Sequence, residues 1–182
     1  HGRIDGRATG RANSKSEAVG PRPTRMETTR HFVATCYVVV DGAVALHEHD
    51  RLGLTLPPGG HVDRDELPHE TAIRETHEET GIEPTLLTDY DADVTSPTVE
   101  PLPRPRHLLL EDINVCDGAV GHQHIDHVYY GVADTREIAP AGDDEEPPAV
   151  WDWYDADDLQ RADLDGDVAQ LGLEAIELAT RA

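Results

Sequence analysis

The sequence lacks the features that mark disulfide-stabilised and membrane-spanning proteins. It has two cysteines in 182 residues, Cys36 and Cys116, which argues against a disulfide framework and makes a reducing cytoplasm the expected location. No run of apolar residues approaches the roughly 18 that cross a bilayer. With 37% hydrophobic residues, the chain has enough apolar side chains for one domain with its own core.

Basic residues are also scarce. Fifteen lysines and arginines face 37 aspartates and glutamates, which gives a net charge of −22. Such a chain repels polyanions, so we expect neither a long nucleic acid nor an anionic membrane as its partner. Molar salt shortens the Debye length to about 3 Å and screens this self-repulsion, so we expect a halophilic protein from a salt-rich cytoplasm.

The charge changes sign near the single methionine. Residues 1–25 carry six basic and two acidic side chains, whereas residues 26–182 carry 9 basic and 35 acidic ones. The first segment is rich in glycine and arginine, and it lacks the apolar stretch and paired arginines of export signals. We therefore expect a disordered basic arm at 1–25, a natural start at Met26 and a single domain over 26–182.

The hydrophobic pattern predicts an α+β fold. Asp41-Gly42 separates two β-branched runs, 31–40 and 43–47, and this arrangement is typical of a hairpin. A helix is predicted at 69–81, with Gly81 marking its end. Other strands are predicted at 52–56, 86–87, 107–115, 125–132 and 150–154, loops at 96–105 and 139–148, a helical turn at 155–161 and a last helix at 167–180.

The predicted internal helix carries three carboxylates on one face. Glu75, Glu78 and Glu79 are spaced i, i+3 and i+4, so they repel one another by a few tenths of a kcal/mol per pair unless a cation lies between them. Hard oxygen ligands of this kind suit Mg²⁺ or Mn²⁺. The competing interpretation is an acidic face that is simply solvated.

Residues 60–82 fit the pattern G-x5-E-x7-R-E-U-x-E-E-x-G-U, where U is a large aliphatic residue. The single departure is Thr76, at an aliphatic position. This pattern is the Nudix box, and the chain resembles the Nudix hydrolases, MutT-like proteins among them, over about residues 31–160. The resemblance implies an α/β/α sandwich with a mixed β-sheet and a loop–helix–loop catalytic box. It also implies metal-dependent hydrolysis of a nucleoside diphosphate linked to another moiety, by attack of water on phosphorus.

The resemblance also assigns roles within the box. It implies that Mg²⁺ or Mn²⁺ is held by the three glutamates of the helix and by a backbone carbonyl at Gly59 or Gly60. Arg74 is expected to brace the glutamates, and Glu66 to support the helix or a water. The candidate catalytic bases are Glu79 or Glu75 first and Glu146 second, with its neighbour Glu145 in the same acidic loop. A plain solvated charge run is equally consistent with that loop.

Several residues outside the box are candidate substrate contacts. His122, His124 and Asp126 alternate along a strand and share a face, where substrate contact or, less favoured, a zinc site is conceivable. Tyr129 could stack on a base, although core packing is the commoner role for a strand tyrosine. Arg104 and Arg106 could bind phosphates or pair with surface acids.

The resemblance implies the class of substrate, but it does not say which member of that class the protein cleaves. Nucleoside triphosphates, nucleotide sugars, ADP-ribose and dinucleoside polyphosphates all fit, and capped RNA is the least favoured because the chain repels polyanions. The expected partner is a small-molecule nucleotide, and a homodimer is one expected assembly. The alternative function is a Nudix-fold nucleotide sensor or an isomerase without hydrolase activity.

Overall fold

The structure is a computed structural model that describes residues 28–49, 53–89, 94–116 and 118–182. The predicted arm at 1–25 and Met26 lie outside the described residues. The strands are β1 (Thr29–Val40), β2 (Ala43–His49), β3 (Leu54–Leu56), β4 (Gly59–His61), β5 (Thr85–Leu86), β6 (His107–Cys116), β7 (Ala119–Val132) and β8 (Trp151–Asp155). The helices are α1 (Pro68–Thr80), α2 (Ala156–Arg161) and α3 (Gly166–Arg181). In the part of the chain that the structure describes, no helix is long and apolar enough to cross a membrane.

All eight strands belong to one mixed sheet with the path β3-β2-β1-β7-β5. Strand β1 runs parallel to β7 and antiparallel to β2 and β4, while β6 pairs with β7 and β8 with β2. The predicted hairpin is confirmed, because Asp41 and Gly42 both have positive φ, 48° and 77°, between β1 and β2. Two central residues of this kind match the right-handed twist of a hairpin.

Helices cover both faces of the sheet, which confirms the α/β/α sandwich. Side chains alternate along β1, so Cys36 packs toward α1 with Ala72, whereas Tyr37 packs toward α3 with Leu171 and Ala175. Thr76 is fully buried and its hydroxyl donates to the carbonyl of Ala72 at 2.7 Å. The one departure from the box pattern is therefore a satisfied core residue.

Three elements differ from the sequence-based predictions. Residues 57–60 were expected only to stop a strand, yet Gly59 and Gly60 form the short strand β4 against β1. Strand β7 begins at Ala119, six residues before the predicted strand, because it pairs along its length with both β1 and β6. Strand β3 begins at Leu54, and residue 52 of the strand predicted at 52–56 lies outside the described part.

Candidate active site

Helix α1 is fixed at both ends by its own sequence. Pro68 occupies the first turn, and the Leu67 N–H donates to the Glu70 carboxylate at 2.9 Å. At the other end Gly81 has φ 76°, and a Cβ there would collide with the carbonyl oxygen of Ala139. Glycine is required at this position for its backbone conformation and also for the close approach of the following loop.

Arg74 gathers three carboxylates around one guanidinium group. It binds Glu66 in two-pronged fashion, through Nε to Oε1 at 2.8 Å and through Nη2 to Oε2 at 2.9 Å. Its Nη1 donates to Glu75 Oε1 at 2.8 Å and to Glu78 Oε2 at 2.7 Å. These contacts lower the pKa of Glu66, with the Arg74 hydrogen bonds as the largest cause. The bracing roles predicted for Arg74 and Glu66 are consistent with this geometry.

Glu75 lies directly over the backbone of β4. A Cβ on Gly60 would collide with the Glu75 carboxylate, so only glycine leaves room for the carboxylate at this point. Burial raises the pKa of Glu75, and the Arg74 contact opposes that shift. The Glu75 carboxylate, a predicted metal ligand, therefore lies against β4, whose backbone carbonyl is another predicted ligand.

Glu79 is the most buried of the three helix carboxylates. Its Oε1 accepts a hydrogen bond from the Gly59 N–H at 2.8 Å. Burial, the largest cause, together with the charges of Glu75, Glu145 and Glu78, nevertheless raises the pKa of Glu79 to about 8, and the Gly59 hydrogen bond opposes part of this shift. Without a cation this carboxyl group is therefore mostly protonated at neutral pH.

A loop after β7 closes over the carboxyl end of α1. The N–H groups of Ala141 and Gly142 both donate to the carbonyl of Glu78, at 2.8 and 3.0 Å. The loop carboxylate that acts on the box is Glu145, whose charge raises the pKa values of Glu75 and Glu79. The charge of Glu146, the predicted second base, contributes instead to raising the pKa of Glu145.

His47 is a neighbour of the site that the sequence analysis did not single out. Its ring is buried and stacked on Trp151, with centroids 4.4 Å apart. Its Nε2 lies 3.9 Å from Glu79 Oε2, and burial lowers the pKa of His47 to about 4. A neutral imidazole therefore borders the buried carboxyl group and adds no cation to the site.

The donor set fits a hard divalent cation. All of its members offer oxygen atoms, and burial and the charges of neighbouring box carboxylates raise the pKa values of Glu75 and Glu79. One guanidinium group is shared among three carboxylates, so negative charge remains in excess. A divalent cation held by Glu75, Glu78 and Glu79 with a β4 carbonyl would offset that excess.

The predicted substrate residues of β7 lie on the α3 face of the sheet. His122, His124 and Asp126 share this face, since the register pairs them with Thr29, His31 and Val33 of β1. Asp126 is 4% exposed, accepts a hydrogen bond from the Thr35 hydroxyl at 2.8 Å and leaves its other oxygen without a partner. Burial raises its pKa to about 6.

Tyr129 is a core residue rather than a surface that could stack on a base. It is 2% exposed and packs with Ala34, Cys36 and Ala72 under helix α1. Its hydroxyl donates to the carbonyl of Pro103 at 3.4 Å. The structure therefore describes Tyr129 in the core-packing role, the commoner of the two that the sequence left open, on the opposite face of β7 from Asp126.

The two arginines that could bind phosphates lie just before β6. Arg106 Nη1 is 3.9 Å from Asp89 Oδ2, and the Arg106 N–H donates to the carbonyl of Val128. The Arg104 N–H lies 3.5 Å from the carbonyl of Asp89. Arg106 therefore has a surface acid within ion-pairing distance, as one of the two interpretations of this arginine expects.

The structure brings in two histidines that the sequence analysis missed. His31 and His61 lie beside His122 and His124, although they are distant along the chain. The missing signal is strand pairing, of β1 with β7 for His31 and of β1 with β4 for His61, which hydrophobic periodicity does not reveal. Once that pairing is known, the histidines become neighbours by register.

Comparisons with known proteins agree with the box and the fold. The sequence model of the NUDIX domain matches residues 29–172. A NUDIX family hydrolase from Clostridium perfringens is 31% identical with a TM-score of 0.73, and the match covers 83% of this chain and 99% of that one. No curated protein matches the sequence.

Two more distant structures share the fold. A mutator MutT protein from Bacillus halodurans is 19% identical with a TM-score of 0.55, covering 80% of this chain and 82% of that one. A MutT NUDIX hydrolase from Burkholderia pseudomallei is 23% identical with a TM-score of 0.51, covering 81% and 98%. At these identities the likeness concerns the fold alone.

Proposed function

The chain belongs to the NUDIX hydrolase family, whose members act on nucleoside diphosphate derivatives, and from that premise we propose how its own residues carry out the hydrolysis. We propose that Glu75, Glu78 and Glu79, with a β4 carbonyl at Gly59 or Gly60, hold Mg²⁺ or Mn²⁺. When bound, the cation neutralises diphosphate oxygens and makes a water more acidic. The substrate is a small-molecule nucleotide whose diphosphate linkage is cleaved by water attack on phosphorus.

The observation that carries this proposal is the arrangement around Arg74. One guanidinium group holds Glu66, Glu75 and Glu78 in place, while Glu79 is anchored separately on the Gly59 N–H. A merely solvated acidic face would not bury a carboxylate or hold its neighbours on a shared arginine. The alternative of a nucleotide sensor or an isomerase finds no support in this intact set.

The chain's residues divide the work between holding and proton transfer. Arg74 and Glu66 hold the helix carboxylates, and β4 presents its backbone to them. Glu79 or Glu75 is the proposed base, since a carboxylate beside the reacting water can accept its proton. In the later loop, Glu145 is a better candidate base than Glu146, because the charge of Glu145 raises the pKa values of Glu75 and Glu79. A homodimer, the cytoplasmic location and a substrate role for Arg104 remain predictions.

A substrate panel tests the proposed function. Nucleoside triphosphates, nucleotide sugars, ADP-ribose and dinucleoside polyphosphates are incubated at high KCl with Mg²⁺, Mn²⁺ or a chelator, and released phosphate, pyrophosphate and nucleoside monophosphate are measured. We expect cleavage only with a divalent ion, and we expect Glu78→Gln to lower kcat by orders of magnitude. Glu83→Gln, an exposed glutamate after the helix, is the matched control. Chelator-resistant cleavage, or a Glu78→Gln variant as active as the control, would refute the metal assignment.

A second comparison separates the loop carboxylates. If Glu145 is the base, Glu145→Gln lowers kcat by about 10²–10⁴-fold, which is the range typical of a general base, and Glu146→Gln does not. If both variants keep wild-type kcat, the base lies on the box helix, as the first-ranked assignment holds. The pH profile of kcat then distinguishes Glu75 from Glu79 through the corresponding glutamine variants.

A further inference from the structure

Four histidines from three strands form a cluster on the α3 face of the sheet. Successive ring centroids lie 4.7 Å apart for His31 and His122, 5.0 Å for His122 and His124, 5.1 Å for His124 and His61, and 5.2 Å for His61 and His31. The contacts therefore close into a ring of four imidazoles. Three such groups would be enough to ligate a zinc-type ion with an open fourth position.

The nitrogen atoms are close enough to share an ion. One ring nitrogen from each of His31, His61 and His122 lies within 4.8 Å of the other two. A zinc–nitrogen bond is about 2.0–2.1 Å, so small rotations of the exposed rings would bring the three nitrogens to one centre. His31 and His61 are exposed and His122 is half-buried, so an ion can reach the cluster from solvent.

We propose that His31, His61 and His122, with His124 as the adjoining fourth imidazole, form a binding site for a transition-metal ion of the Zn²⁺, Ni²⁺ or Cu²⁺ class. All-imidazole ligation selects this class, whereas Mg²⁺ and Mn²⁺ prefer oxygen. The site is therefore chemically different from the carboxylate set on α1.

One contact already orients a ligand of this site. The Thr29 hydroxyl lies 3.3 Å from the Gly121 carbonyl oxygen and 2.9 Å from His122 Nδ1. In the His122 tautomer that donates its Nδ1–H to this hydroxyl, the hydroxyl proton goes to the Gly121 carbonyl and the lone pair available to a metal is on Nε2. Outer contacts of this kind fix the tautomer of metal-binding histidines.

The cluster and the box meet at β4 from opposite faces of the sheet. Gly60 faces Glu75 on the α1 side, and the next residue, His61, turns to the α3 side against Val33. An ion on His61 would therefore hold the strand whose carbonyl is proposed to contribute to the catalytic site. The two sites share a backbone segment but no side chain.

Metal binding by the whole protein tests the proposal without depending on activity. Chelator-treated protein is dialysed at high KCl with excess Mg²⁺ against graded Zn²⁺, and bound zinc is measured by mass spectrometry. A His31→Ala/His122→Ala variant is compared with wild type, and His77→Ala, an exposed histidine of α1 outside the cluster, is the matched control. A Glu78→Gln/Glu79→Gln variant reports zinc that binds at the box.

We expect one zinc per chain in the wild type, the His77 control and the glutamate variant, and at least a tenfold weaker site in the double histidine variant. Circular dichroism verifies folding, and His61→Asn is the second variant if the double variant does not fold. Co²⁺ in place of Zn²⁺ should give a ligand-field spectrum that the cluster variants lack.

Equal zinc binding by all proteins would overturn the proposal, as would zinc loss in the glutamate variant alone. A raised KM in the histidine variants with unchanged zinc would assign the cluster to substrate binding instead.

Discussion

Replacing Glu79 by glutamine should make the stability of the metal-free protein less dependent on pH. Burial raises the pKa of Glu79 from 4.5 to about 8, so the folded state binds a proton that the unfolded state releases. That proton stabilises the fold fully below the unfolded pKa, and its contribution is lost as pH rises through the folded pKa. Each pKa unit corresponds to about 1.4 kcal/mol, so ionising Glu79 removes about 3 kcal/mol of stability between pH 6 and pH 9. Glutamine keeps an oxygen for the Gly59 N–H and cannot ionise.

Urea unfolding at pH 6 and at pH 9 measures this difference, in chelator and at constant high KCl. Wild-type protein should lose about 3 kcal/mol more than Glu79→Gln over this interval, and Glu83→Gln should behave like the wild type. Saturating Mg²⁺ should restore wild-type stability at pH 9, because cation binding requires the ionised carboxylate. If wild type and Glu79→Gln lose stability in parallel, the buried carboxyl group is not the source of the pH dependence. The electrostatic description of the site would then be refuted.

Three further outcomes are expected. Gly81→Ala should lower the free energy of unfolding by more than the roughly 1 kcal/mol expected for Gly118→Ala. Both glycines have a φ of 76°, but only an alanine at position 81 would collide with a loop carbonyl. Equal urea midpoints for the two variants would contradict this. Arg74→Lys should lower kcat by at least tenfold with little change in the circular dichroism spectrum, since a lysine cannot hold the carboxylates bidentately; wild-type kcat would contradict this. Circular dichroism should show reversible loss of structure below about 1 M KCl, where screening of the acidic surface weakens, and full ellipticity in dilute buffer would refute the halophilic prediction.

The box could be predicted from sequence because its chemistry is local. One helix carries Arg74, Glu75, Glu78 and Glu79, so residue spacing alone places them on neighbouring positions of one surface. The turn at Asp41-Gly42 was equally accessible, since a two-residue loop between β runs depends on backbone conformation at two positions.

The residues that could not be placed depend on pairing between distant strands. His31 and His124 become neighbours through the parallel register of β1 and β7, which no local pattern encodes. Both roles were open for Tyr129 because strand alternation alone does not say which face of β7 is covered, and the packing under helix α1 favours the core role. The advantage of Glu145 over Glu146 likewise depends on how its loop docks on the end of α1.

A Mn²⁺ titration followed by electron paramagnetic resonance tests the central claim most directly, because it observes the cation on the carboxylates without requiring the correct substrate. Wild-type protein and Glu83→Gln are compared with Glu78→Gln and Glu79→Gln at constant KCl and pH. The account predicts a Mn²⁺ site in the first two proteins that is weakened at least tenfold in each of the last two. Equal Mn²⁺ binding by all four proteins would contradict the assignment of the box glutamates as the metal site.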